Sequence, residues 1–91
     1  MTEEANCIVS VCNPKGLHAR PASKVAKLAQ GFDATIAIHY NGEEAEADSI
    51  MDLLMLGAAP GAKLRIEAYG PDAVTATEAI ARLVERGFDE V

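Results

Sequence analysis

The sequence predicts an α+β fold: an open-faced two-layer sandwich in the order β-α-β-β-α-β-α. A mostly antiparallel four-stranded sheet carries three helices on one face. Three observations point there. Four short stretches are rich in β-branched residues or alternate apolar with polar, while three others carry apolar residues at helical spacing. Asn41-Gly42 stands between two alternating stretches and marks a tight antiparallel hairpin. The chain between strands is too short for stacked parallel crossover units, so the helices gather on one side. With 91 residues and no linker, repeat or low-complexity tract, one domain spanning 1–91 is expected.

The first strand, 5–12, holds Ile8, Val9 and Val11 with Cys7 and Cys12 around them. The two cysteines lie on opposite faces, about 16 Å apart if extended. A disulfide needs Cα atoms within about 7 Å. Both are therefore expected to be reduced and at least partly buried, which fits the cytoplasm. Asn13-Pro14-Lys15-Gly16 is a loop by its turn residues. The first helix has a stripe of Ala22, Val25, Ala26 and Ala29, with Lys24 and Lys27 on another face. Pro21 fits its first turn and Gly31 its end. Helical geometry begins near Arg20-Pro21, which leaves His18 just ahead of the first free amides.

Residues 33–40 form the second strand, with Ile36, Ile38 and Tyr40 on one face. Residues 43–47 return from the hairpin with Ala45 and Ala47 inward. A short helix over 49–56 starts at Ser49, with Asp52 three residues on as a variant capping box, and Gly57 ends it. Residues 63–69 alternate as the fourth strand. Gly70-Pro71-Asp72 opens the last helix, whose buried side is expected to be Val74, Thr77, Ile80, Ala81, Leu83 and Val84, with Gly87 closing it.

Net charge is −6, which argues against nucleic acid as a partner. The distribution is more telling. No acid lies between Glu4 and Asp33, yet Lys15, Arg20, Lys24 and Lys27 do, half of the eight cations. An acidic chain with one basic stretch centred on His18 is suited to a phosphate or an acidic partner. The start, Met1-Thr2-Glu3-Glu4, is acidic and unlike a signal peptide. The longest apolar run, Leu53-Leu54-Met55-Leu56, is far too short to enter a membrane. No Cys/His spacing indicates a metal, and no cofactor is expected. A cytoplasmic protein follows from these features.

The chemistry sits in Gly16-Leu17-His18-Ala19-Arg20-Pro21-Ala22. A helix start offers unpaired N–H groups and the positive end of the dipole, a ready phosphate site. That end is expected to favour neutral imidazole, the nucleophilic form, and then to stabilise a phosphoryl group carried on it. Arg20 adds a bidentate, charge-assisted contact. Phosphoryl transfer between two nucleophiles needs positioning and charge stabilisation more than acid–base groups.

These seven residues resemble the active-site signature of the HPr family, the histidine-containing phosphocarriers of the bacterial phosphoenolpyruvate-dependent phosphotransferase system. Gly31-Phe32, Asn41-Gly42, Ser49-Ile50-Met51 and Leu56-Gly57 fall where that family has similar elements. The resemblance implies a carrier rather than an enzyme. His18 would be phosphorylated on Nδ1 by phospho-enzyme I and would pass the group to a histidine of an enzyme IIA. Arg20 would be the counter-charge, and Ala19 and Arg20 would lend backbone amides. Ser49, an ordinary helix cap in itself, matches the serine that HPr kinase/phosphorylase modifies in many relatives, although Asp52 replaces the glycine or lysine often found there.

Ile50, Met51, Leu53, Leu54, Met55 and Leu56 are more apolar residues than one side of a short helix buries. An exposed patch beside His18 is expected, with Ile50, Met51, Leu54 and Met55 as contacts for partners, Lys24 and Lys27 as a basic rim, and Leu17 next to the histidine. Methionine suits a surface that meets several partners. In the family this helix docks enzyme I and the IIA proteins, and a monomer suits such a shuttle. His39 is expected on the solvent face of the sheet.

Gly87-Phe88-Asp89-Glu90, Glu44-Ala45-Glu46-Ala47 and Leu53-Leu54-Met55-Leu56 resemble the nitrogen-related branch, whereas Ser49-Ile50-Met51 leans toward the kinase-regulated group. The pathway stays open. Two other classes compete with the carrier. One is a regulatory binding protein signalling mainly through Ser49. The other is a small acylphosphatase-like hydrolase, which would release phosphate rapidly.

Overall fold

The computed structural model describes residues 3–90. Its elements are β1 (Glu4–Ser10), α1 (Ala19–Ala29), β2 (Thr35–Tyr40), β3 (Glu43–Glu46), α2 (Ile50–Met55), β4 (Lys63–Tyr69) and α3 (Ala73–Glu85), followed by one 3₁₀ turn, Gly87–Asp89. The strands form one sheet in the order β1-β4-β2-β3, and every neighbouring pair is antiparallel. The α+β open-faced sandwich is thus the observed architecture.

Register explains why one face is covered. Cys7 lies opposite Ile66, Ile66 opposite Ile38, and Ile38 opposite Ala45, so one inward row crosses all four strands. A step of one residue gives the row Ile8, Arg65, His39 and Glu44 on the opposite, open face. The inward rows share one core with Ala22, Val25 and Ala26 of α1 and Ala76, Ile80 and Val84 of α3. At the hairpin, Asn41 and Gly42 both take positive φ, 53° and 83°, the geometry that matches strand twist.

Two expectations about burial change, and one about backbone conformation. The chain leaves the sheet after Val11, whose N–H and C=O bond Ala62 and Gly61. Cys12 therefore turns outward and is exposed, and Cys7 is half-buried; both are free thiols. On α3, Val74 is 47% exposed and Ala73 is fully buried in its place. One residue is about 100° around a helix, so the stripe runs Ala73, Ala76/Thr77, Ile80/Ala81, Val84. Gly31 follows the α1 C-cap, Gln30, but does not adopt the left-handed backbone of a glycine stop.

Candidate functional site

The loop between β1 and α1 is built around a close approach. Gly16 has φ +68°, and a Cβ there would lie 2.5 Å from the Ala58 carbonyl oxygen, so the position admits only glycine without movement. The contact lets the Leu17 N–H donate to that carbonyl at 2.9 Å. Leu17 itself is 4% exposed and belongs to the core. This corrects its expected place on the partner surface: the bond to Ala58 turns its side chain inward. The Asn13 side chain, 2% exposed, donates from Nδ2 to the Gly16 carbonyl at 2.8 Å.

His18 is the N-cap of α1, with extended backbone and no side-chain capping bond, so its ring is free for other work. Its own N–H donates to the Gly16 carbonyl at 3.0 Å, and its carbonyl accepts from Ala22. Pro21 has no N–H. Among the described residues the N–H groups of Ala19 and Arg20 have no backbone partner and stand at the positive end of α1. Arg20 is exposed and takes part in none of the ion pairs of the described residues.

The surroundings of His18 are not free of acid. Glu90, distant in sequence, places Oε2 2.9 Å from His18 Nε2. Its Oε1 accepts from Asn13 Nδ2 at 2.8 Å. Both acceptors of Asn13 Nδ2 are oxygens, so the amide orientation is fixed, and Oδ1 is left buried without a partner. A depression beside the ring is lined by Pro14, Lys15, Arg20 and Lys24 together with Asp89 and Glu90. The basic stretch therefore meets two carboxylates brought in by the fold. The Glu90 carboxyl is held below its ordinary value, first by the Asn13 amide, then by the His18 contact and the Arg20 charge, against the opposing effect of burial. As a carboxylate it only accepts hydrogen bonds. Nε2 is therefore the hydrogen-bearing nitrogen in this contact, which leaves Nδ1 to carry the lone pair of a neutral ring.

The tail that delivers Glu90 is fastened at several points. Phe88 is fully buried. Lys24 Nζ donates to its carbonyl at 2.7 Å, which ties the tail to α1. Arg86 Nε holds Asp89 at 2.8 Å. Neither Glu90 nor Asn13 was expected at the His18 site from the sequence. The available signal was a large apolar residue, Phe88, placed just after the helix-stopping Gly87, which marks a tail returning to the core.

On α2, Ser49 is the N-cap, and its Oγ accepts from the Asp52 N–H at 3.2 Å. The Asp52 carboxylate accepts from Glu46 N–H rather than from Ser49, so the box is not reciprocal. Leu53 and Leu56 are buried, while Met51 and Met55 are 70% and 79% exposed, with Ile50 and Leu54 less so. The loop after α2 carries Ala58, so the same contact that shapes Gly16-Leu17 ties the end of this helix to the loop that bears His18. Lys27 is exposed on α1. His39 lies on the open sheet face, paired with Glu67 at 3.0 Å, and does not join the site. No group of metal-ligating residues occurs among the described residues. No helix among them is long and apolar enough to cross a membrane.

Comparison with known proteins places this geometry. The family described as "PTS HPr component phosphorylation site" matches residues 6–86. The chain is 46% identical over 83 residues to phosphocarrier protein NPr of Escherichia coli (strain K12), spanning 90% of this chain and 92% of that one. To phosphocarrier protein HPr of Chlamydia muridarum it is 34% identical over 88 residues, spanning 97% and 85% of the two chains. The crystal structure of HPr from Bacillus anthracis is similar with a TM-score of 0.85 at 36% identity, covering 89% of this chain and 96% of that chain.

Proposed function

Because the chain belongs to the HPr family of phosphocarrier proteins of the phosphotransferase system, we propose that His18 is the residue that takes up the phosphoryl group and gives it away. The observation that carries this is the placement of His18: an N-cap whose ring makes no capping bond, at the start of α1, with the N–H groups of Ala19 and Arg20 unclaimed. In the proposed cycle the donor is phospho-enzyme I and the acceptor is a histidine of an enzyme IIA. The Nδ1 lone pair attacks phosphorus in line, the bond to the donor imidazole breaks, and the group passes on by the reverse steps. The helix-start amides and the Arg20 guanidinium hold its oxygens in transit.

The exposed side chains of Ile50, Met51, Leu54 and Met55, with Lys27 and Lys24 at the rim, are the proposed docking surface. The 46% identity to a nitrogen-branch carrier favours nitrogen-type donors and acceptors over sugar-type ones. The test is incubation with phosphoenolpyruvate and enzyme I. An acid-labile phosphate is expected on the protein and is absent from a folded His18→Ala variant. No label on the wild type refutes the reading. Rates of onward transfer to nitrogen-type and sugar-type IIA proteins then decide the branch.

The rival reading is regulation through Ser49. In its favour is position, since Ser49 opens the helix that bears the apolar patch. Against it is charge: a phosphate there would join Asp48 and Asp52 on either side. Incubation with HPr kinase/phosphorylase and ATP, followed by mapping of any acid-stable phosphate to Ser49, tests it directly.

A further inference from the structure

The contact between Glu90 and His18 bears on a question the carrier reading leaves open: what leaves when the phosphoryl group moves on. This inference rests on His18 being the phosphoryl acceptor. We infer that Glu90, held by Asn13, keeps a proton on His18 Nε2 throughout the cycle, so that neutral imidazole, not imidazolate, departs from phosphorus.

Before transfer, the Nε2–H donates to the Glu90 carboxylate and Nδ1 carries the lone pair. That lone pair forms the N–P bond while the donor's own bond to phosphorus breaks. The ring now bears a positive charge, which Glu90 balances at 2.9 Å. No proton need move. In the second half, the acceptor attacks phosphorus, the Nδ1–P bond breaks, and its electrons return to Nδ1. The departing ring is neutral because its Nε2 proton never left. Without a neighbouring carboxylate, the phosphorylated ring more readily loses that proton, and the leaving group becomes imidazolate, a far poorer one. The arrangement has the logic of a carboxylate orienting and charge-balancing a catalytic imidazole, with the two ring nitrogens exchanged.

The fold holds Glu90 in place against strain. Gly87, Phe88 and Asp89 are three successive residues with positive φ, 66°, 58° and 60°. Positive φ is uncommon for a residue as bulky as phenylalanine, and three in a row reverse the chain sharply. The turn persists because Phe88 is buried, Lys24 grips its carbonyl and Arg86 grips Asp89. Glu90 emerges from this turn aimed at the ring, with Asn13 on its other oxygen. Among the described residues, the charged groups that line the adjoining depression with Glu90 are Lys15 from the loop before α1, Arg20 and Lys24 from α1, and Asp89 from the tail. The cations oppose a charged ring, so the carboxylate in direct contact supplies the compensation. Glu90 is a positioning residue here, acting through His18.

The experiment uses phosphoprotein freed of enzyme I. A Glu90→Gln variant keeps the side-chain size but removes the charge and one of the two acceptor oxygens. It is expected to reach full label on His18. At neutral pH its phosphoryl group should last about two- to fivefold longer, the size of a part-exposed ion pair. Its curve of lifetime against pH should move to lower pH, and single-turnover transfer to an IIA protein should slow by a similar factor. A role limited to holding the ring would alter the labelling rate but not that curve. A variant curve that superimposes on the wild type overturns the inference and leaves the carrier reading intact. Absence of label on the wild type overturns both. A measurement on the unaltered protein stands beside the variant: ¹⁵N NMR of the phosphorylated His18 ring at neutral pH should show Nε2 protonated, and an unprotonated Nε2 refutes the proposal.

Discussion

Replacing Gly16 with alanine separates two costs that are usually measured together. At Gly16 the new Cβ would sit 2.5 Å from the Ala58 carbonyl oxygen and 3.1 Å from Ala59 Cα. Both are backbone atoms, so no side chain can turn aside. Gly57 has nearly the same backbone, φ +63° against +68°, but nothing lies within 4 Å of its Cβ position. Gly57→Ala therefore carries only the left-handed backbone penalty, about 1 kcal/mol. Gly16→Ala carries that penalty and must also part the two loops, weakening the Leu17–Ala58 hydrogen bond, about 1–2 kcal/mol more. The total is about 2–3 kcal/mol for Gly16→Ala. A domain of this size has stability on the order of 5–14 kcal/mol, so both variants should fold. Urea unfolding resolves the difference: with a slope of about 1 kcal/mol per molar, the midpoint falls by roughly 2–3 M in Gly16→Ala and roughly 1 M in Gly57→Ala. Phosphorylation by enzyme I should follow the same order, since the His18 N–H is bonded to the Gly16 carbonyl. Equal midpoints for the two variants would refute the claim that the loop contact constrains this site.

Other substitutions test separate parts of the structure. Ser49→Ala removes the cap on the Asp52 N–H and should cost about 1 kcal/mol in urea unfolding. Phe88→Ala should cost about 3–5 kcal/mol and, by freeing the tail, shift the His18 ring resonances in NMR. Met51→Asp with Met55→Asp changes two highly exposed side chains, so stability should stay within about 0.5 kcal/mol. The concentration of protein needed for half-maximal labelling by enzyme I should nevertheless rise severalfold. The Glu90 carboxyl is lowered in the folded state, so its contribution is complete above the ordinary carboxylate range and is lost as pH falls through the depressed value. The acid limb of stability against pH should therefore be shallower in Glu90→Gln than in the wild type.

The layout of the molecule was open to sequence reasoning because its signals are local. Asn41-Gly42 fixes a hairpin, the Ala22-Val25-Ala26-Ala29 stripe fixes the buried side of α1, and strand alternation fixes which face is covered. The place of His18 just ahead of the first free amides followed from Pro21 and the stripe, although α1 begins at Ala19, a residue earlier than expected. What stayed hidden depends on distant pairs. The acid-free stretch around His18 is a property of the linear chain, and Glu90 crosses it only after α3 and the final turn have formed. Leu17 looked available because its burial is set by Ala58, on a different loop. Val74 and Cys12 failed for a smaller reason, an error of one position in where a helix stripe or a strand begins or ends.

His18 and Glu90 are 72 positions apart, and among the described residues β1 pairs with no strand but β4. Such contacts close late, since long loops must be ordered before they stabilise anything. During synthesis the histidine emerges early, on a strand with no neighbour and a loop with no Ala58 to rest against. On the proposed reading, a chain still on the ribosome presents the seven-residue signature without the shape that the acceptor role requires. Competence to carry a phosphoryl group would then report that the whole domain is finished.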